Sequence, residues 1–152
     1  MKERAFTIVE LLIVIVVIGI LAAISIASYS GLQNRAKVSS ANSDLTALYK
    51  AINLARINES KVLKDITGSM CTGCGNQAVY EQSLDRIGTA AGVDLSKLKA
   101  GNPWGGRYSI DENELENMAT NNGCNRDSLT VGSNVPSGVT GIISPIVATY
   151  SC

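Results

Sequence analysis

From Leu11 to Asn34 the chain carries no charged residue, and from Leu11 to Ile24 the apolar run is interrupted only by Gly19. As a helix, those 24 residues would span roughly 36 Å, enough to cross the hydrocarbon core of a bilayer. Lys2 and Arg4 precede the run with Glu3 between them. That basic flank favours a cytoplasmic N-terminus with the rest of the chain outside. One acidic residue, Glu10, stands at the head of the run. A carboxylate in a membrane helix costs on the order of 3 kcal/mol, less near the interface, and in apolar surroundings it requires a cation. The first basic residue downstream is Arg35, roughly 37 Å away along a helix. A cut just before Phe6 would remove the basic leader and create an α-amine with a pKa near ~8. That amine is the natural partner for Glu10, in its own chain or in a neighbour's.

Three readings of this segment compete. A secretory signal peptide would use "SIA" at Ser25 to Ala27 as its cleavage site and leave Ser28 as the mature N-terminus. A plain anchor would simply stay in the membrane. An anchor that later changes partners gives Glu10 a purpose, which neither of the other two does. Beyond this segment, composition narrows the field by exclusion. Basic and acidic residues number 13 each, so the formal net charge is zero, which argues against nucleic acid and against an anionic membrane surface as partners. There is no histidine, so His-based triads, bases and metal sites are excluded.

The stretch "RAFTIVELLIVIVVIGILAAISIASYSGLQNRAK" resembles the processing site and N-terminal helix of the type IV pilin family, which includes pilins and the pseudopilins of type II secretion and DNA-uptake machines. The resemblance covers Ala5 to about Lys37. It rests on a short basic leader, a small residue, Phe-Thr-x-x-Glu and a long apolar run. It implies that a prepilin peptidase cuts between Ala5 and Phe6 and methylates the Phe6 amine. It implies that Glu10 pairs with the Phe6 amine of an adjacent subunit, in a helical homopolymer built on an assembly platform. It also implies a single-pass subunit of the cytoplasmic membrane before assembly and a surface pilus, or a short pseudopilus, afterwards. On this reading the chain is structural rather than enzymatic and needs no cofactor. Two departures stand out: the family usually has Gly where this chain has Ala5, and many members have a proline where this chain has Ala27.

Ala41, Leu45, Leu48, Ile52 and Ala55 follow spacings of four, three, four and three, which define one helical face. Arg35, Lys37, Asp44, Lys50 and Arg56 fall mostly off that stripe. The pattern predicts one helix from Phe6 to about Asn58, roughly 80 Å long, apolar all round in its first half and amphipathic in its second. The expected organisation is a leader at 1–5, a membrane or filament-core helix at 6–34, its amphipathic continuation at 35–58, and a head at 59–152. The fold class is α+β, with the helix packed on a small antiparallel sheet. Within the head, "AVYEQSLDRIGTAAGV" predicts a short helix around Tyr80, Leu84 and Ile87, and "DLSKLKA" a further turn. "NPWGGRYSIDENE" reads as turn, strand, turn. It is similar to the Pro-Trp-Gly turn of many pilins, with Trp104 expected as a core anchor. "SLTV", "IIS" and "IVATYS" are further strand candidates, with Pro145 marking an edge or bend.

The four cysteines are Cys71, Cys74, Cys124 and Cys152. An even number in an exported domain suggests disulfides, with three possible connectivities. A Cys124–Cys152 loop would contribute roughly 3.5 kcal/mol in the chain-entropy account and resembles the C-terminal loop of many pilins. Cys71–Cys74 would then bridge "CTGC", and crossed pairings stay open. A Cys₄ zinc site is the rival, although the second pair lacks the knuckle spacing. A redox role needs the motif at a helix start in a βαβ context, which the flanks "GSM" and "GNQ" do not suggest. Asp111, Glu112, Glu114 and Glu116 form either a solvated acidic turn or, as in some pseudopilins, a calcium site. Lys97, Lys99 and Arg107 are the local basic excess, a weak case for DNA phosphates.

Overall fold

The computed structural model describes residues 7–69, 71–114 and 125–147. The first element is α1 (Ile8–Glu59), followed by α2 (Leu63–Thr67), a single 3-10 turn (Thr72–Cys74), α3 (Gln77–Ala91) and α4 (Ser96–Lys99). Three strands complete the order: β1 (Ser109–Asp111), β2 (Asp127–Thr130) and β3 (Ile146–Val147). The chain divides into two units after Ala36.

In the first unit, α1 is bare. Ile8–Ser25 is the one helical stretch among the described residues that is long and apolar enough to cross a membrane, and none of it is buried. Ile8 is 86% exposed and Leu21 59%. Apolar surface on this scale is left bare only where another apolar phase covers it.

In the second unit, the predicted stripe is the spine of the core. Ala41, Leu45, Leu48, Ile52 and Ala55 are all fully buried. All but Ala41 join Tyr80, Leu84 and Ile87 of α3, Leu98 of α4, and Tyr108, Ile110, Leu129 and Val147 from the sheet region. α3 forms where the sequence predicts it, and its ends explain its length. The Asn76 side chain accepts from Val79 N (3.0 Å), a helix N-cap. At the other end Gly92 takes the left-handed conformation and Val93 N returns to Gly88 O (3.0 Å), which closes the helix.

The sheet is antiparallel, in the order β1-β2-β3. Ile110 pairs with Leu129, and Ser128 with Ile146. Period-two alternation puts Ile110 and Leu129 inward, both fully buried. "SLTV" and the start of "IVATYS" are therefore strands, whereas "IIS" is not. Residues 148–150 lie outside those described. The small α2 was not foreseen from the sequence; its five residues are too few for a periodic signal.

Two expectations need correction. Asp44 and Arg56 lie off the apolar stripe, yet both are buried, at 7% and 4% exposure. The Asp44 carboxylate accepts from the Tyr108 hydroxyl (2.8 Å) and from Lys97 Nζ (2.7 Å), and Arg56 donates to the buried Glu114 carboxylate. The helix thus meets the head through buried polar contacts on both flanks of the stripe. Tyr80 donates to Leu98 O (2.8 Å), and burial pushes its phenol up to about 12.

The second correction concerns Trp104, which is half-buried and outside the core cluster. The anchor of its turn is Asn102, 4% exposed. Its Oδ1 accepts from Trp104 N (2.9 Å) and Gly106 N (3.1 Å), and its Nδ2 donates to Val131 O (2.7 Å) and Ser133 O (2.9 Å). One amide therefore fastens the turn to the segment just after β2. The two backbones meet so closely that a Cβ on Gly132, at φ +74°, would stand 1.9 Å from Arg107 O.

Asn102→Asp should separate this role from shape. The carboxylate keeps both acceptors but turns an oxygen toward two carbonyls. The expected loss is about 2–4 kcal/mol, measured by denaturant unfolding of the head in the detergent-solubilised chain. A loss no larger than that of an exposed Asn58→Asp control would contradict it.

Candidate functional site

The helix start is built from Thr7 and Glu10. Thr7 N and Thr7 Oγ1 both donate to Glu10 Oε2 (2.9 and 2.8 Å), and Glu10 N donates back to Thr7 Oγ1 (3.2 Å). This is a capping box: a Thr before the first turn and a Glu three residues on satisfy each other's backbone donors. The carboxylate also lies in the first turn, where the helix dipole favours a negative charge. Glu10 therefore has neutral local donors as well as any cation it meets. The spacing Thr-x-x-Glu before an apolar run was the available signal, and reading Glu10 only as an orphan charge overlooked it. Both donors converge on Oε2, and Oε1 has no partner among the described residues. Ala5 and Phe6, the expected processing pair, lie outside the described residues.

Cys71 and Cys74 form a disulfide across the 3-10 turn, with Cα atoms 5.2 Å apart. Cys124 and Cys152 lie outside the described residues. The predicted helix α3 follows the motif, beginning at Gln77 behind its Asn76 cap. The βαβ setting is still lacking, since the described strands all come later and pair antiparallel.

Among its described residues the acidic run is not a solvated turn. Glu112 is fully buried and Glu114 is 1% exposed. Glu112 Oε2 accepts from Thr72 N (2.7 Å), and its other oxygen accepts from Thr72 Oγ1. Glu114 takes the Arg56 guanidinium, while its own backbone N–H donates to Asp127 Oδ1 (2.9 Å). Asp111 pairs in β1, and Glu116 lies outside the described residues. Among the described residues no three potential metal ligands come together. The basic excess is also dispersed, since Lys97 pairs with Asp44 (2.7 Å) and Lys99 with Asp85 (2.6 Å).

The fold hides these acids because each completes a backbone or side-chain donor that packing had already buried. Burial pushes the Glu112 and Asp127 carboxyls above their ordinary range, against the opposing pull of the donors from Thr72 and Glu114. A carboxyl raised in this way holds its proton more tightly in the folded chain than in the unfolded one. Its contribution to stability is greatest below the unfolded value of about 4.3 and declines as pH rises through the folded value.

The comparisons with known proteins bear on the N-terminal segment. Residues 1–26 match the family model described as the prokaryotic N-terminal methylation motif. A type IV major pilin protein, PilA, of Myxococcus xanthus is 50% identical over 50 residues, covering 33% of this chain and 23% of the pilin. A fimbrial protein of Pseudomonas aeruginosa is 37% identical over 65 residues, 43% of this chain and 42% of that protein. The type II secretion system core protein G of Escherichia coli is 35% identical over 57 residues, 38% of this chain and 39% of that protein. The chain thus spans less than half the length of these relatives. No solved structure matches it.

Glu112→Gln should change the pH dependence of stability. Relative to wild type, the variant should gain stability as pH is raised from about 4 to about 7, because only the wild type must then bury a charge. Urea unfolding at several pH values checks this, and a wild-type-to-variant difference that stays constant with pH would contradict it. The methylation motif and the named relatives together make the N-terminal segment of the chain similar to that of type IV pilins, fimbrial proteins and a type II secretion core protein.

Proposed function

We propose that the chain is a structural subunit of a type IV pilus. In this reading it is cut between Ala5 and Phe6 by a prepilin peptidase, N-methylated at Phe6, held in the membrane by α1, and polymerised through that helix. The observation that supports it most is the bare apolar face of Ile8–Ser25 together with a Glu10 oxygen, Oε1, that has no partner among the described residues. A helix exposed on all sides suits lipid before assembly and a bundle of like helices after it. Within such a bundle a carboxylate is tolerated only beside a cation, so Glu10 sets register by excluding every other position. The Phe6 amine of an adjacent subunit supplies the charge, while Thr7 continues to hold Oε2. Before assembly the subunit lies in the cytoplasmic membrane with the head outside; afterwards it forms part of a surface filament.

A second reading, a pseudopilin that builds a short polymer for secretion or DNA uptake, is favoured by the likeness to the type II secretion core protein. Electron microscopy of the assembled material separates the two: long surface filaments with this chain as the main protein support the pilus, and their absence supports the pseudopilus. A secreted binding domain behind an ordinary signal peptide is the reading from another class.

Mass spectrometry of the N-terminal peptide from sheared surface material tests the proposal, with N-methylated Phe6 expected and Ser28 overturning it. Glu10→Ala should leave the subunit membrane-inserted, because removing a charge only eases insertion, and should abolish its incorporation. Normal filaments made from the variant alone would sink the assignment of Glu10.

A further inference from the structure

We propose that Cys71–Cys74 is a thiol–disulfide exchange site, at which an external dithiol attacks Sγ of Cys74 and displaces Cys71 as the thiolate. Three observations carry this, and none of them depends on polymerisation.

The first is access. Cys74 is exposed, whereas Cys71 is partly buried and tied by a backbone bridge to Asp111. An incoming thiolate reaches the outer sulfur. The second is the leaving group. Cys74 N–H donates to Cys71 Sγ (3.1 Å), and a donor already aimed at a sulfur stabilises the thiolate that forms there. A more stable leaving thiolate departs faster.

The third is that the loop has fastenings besides the S–S bond. The two cysteines are three apart in sequence, so the ring is short and restrains the unfolded chain weakly compared with a long loop. The turn is held instead by Thr72. Its N–H and hydroxyl both donate to the buried Glu112 carboxylate, and the hydroxyl lies 2.9 Å from Ser83 Oγ. Gly73 packs so closely that a Cβ there would stand 2.8 Å from the Ser109 Cα. Reduction therefore leaves both sulfurs in place and ready to re-form the bond.

The chemistry balances. A thiolate of the dithiol forms a mixed disulfide with Cys74 as the Cys71–Cys74 bond breaks. The second thiolate of the dithiol then attacks its own bonded sulfur, releasing Cys74 and closing the reagent into a disulfide. Two electrons pass from the dithiol to the cysteine pair, and the two protons of the dithiol end on Cys71 and Cys74 by way of water. A monothiol stops at the mixed disulfide, which Cys71 resolves by attacking Cys74 Sγ.

The test uses the full-length chain in detergent micelles, with alkylation and peptide mass spectrometry resolving the peptide that carries Cys71 and Cys74. Under native conditions dithiothreitol should reduce this pair while the head keeps its near-ultraviolet circular dichroism. With reduced glutathione and rapid acid quenching, peptide mapping should place the first mixed disulfide of the wild-type pair on Cys74 about tenfold more often than on Cys71. A wild-type pair that resists dithiothreitol until the head unfolds would overturn the proposal, as would loss of the native spectrum on reduction. Equal trapping on the two sulfurs would overturn the assignment of the attacked sulfur.

Discussion

The uncovered apolar surface of Ile8–Ser25 is the constraint on which the rest of the molecule depends. At 1.5 Å per residue those 18 residues span about 27 Å, close to the thickness of a bilayer core. Such a segment is stable only in lipid or among other helices of its kind. The head must therefore form a complete core from the remaining residues, without drawing on this surface. It does so by committing the later turns of the same helix, from Leu45 to Ala55, to its own core. One helix thus serves two environments, and the change from all-round apolar residues to a single stripe is where its sequence passes from one to the other.

A one-sided stripe fixes which face is buried but leaves rotation and height open, because apolar contacts are not directional. The polar flanks supply direction. Asp44 takes the Tyr108 hydroxyl on one side, and Arg56 takes Glu114 on the other. A buried carboxylate or guanidinium without its partner costs several kcal/mol, so a shift of the helix by one turn would strand both. Asn102 does the same for the sheet, by closing the turn before β1 onto the backbone at Val131 and Ser133.

What could be read from the sequence follows the same division. Periodic features were legible: the stripe from Ala41 to Ala55, the helix around Tyr80, Leu84 and Ile87, and the strands at Ile110 and Leu129. Each repeats a local pattern several times. Single polar residues with distant partners were not. Glu112 and Glu114 sit in "IDENELEN", which looks like solvated surface. Nothing local reveals that Thr72, 40 residues away, or Arg56, 58 residues away, is waiting for them. The bland reading of Trp104 failed for a related reason: the aromatic drew attention from the neighbouring Asn102, whose four bonds decide the turn. Thr7 was different, since its capping relation to Glu10 is local and was visible in the spacing.

That local relation changes how Glu10 works at the head of the apolar helix. If an amine were the carboxylate's only acceptable partner, the free subunit would hold a bare charge in the membrane interface until it found a neighbour. The capping box removes that difficulty, because two donors from Thr7 and the helix dipole stabilise the charge from the start. Both donors use Oε2, so the box does not have to open for Oε1 to accept an ammonium. It holds the carboxylate in one orientation, which lowers the entropy lost when the second partner arrives. On the proposed function, a charge stabilised before assembly and completed by it would make pairing specific without making the unassembled subunit unstable.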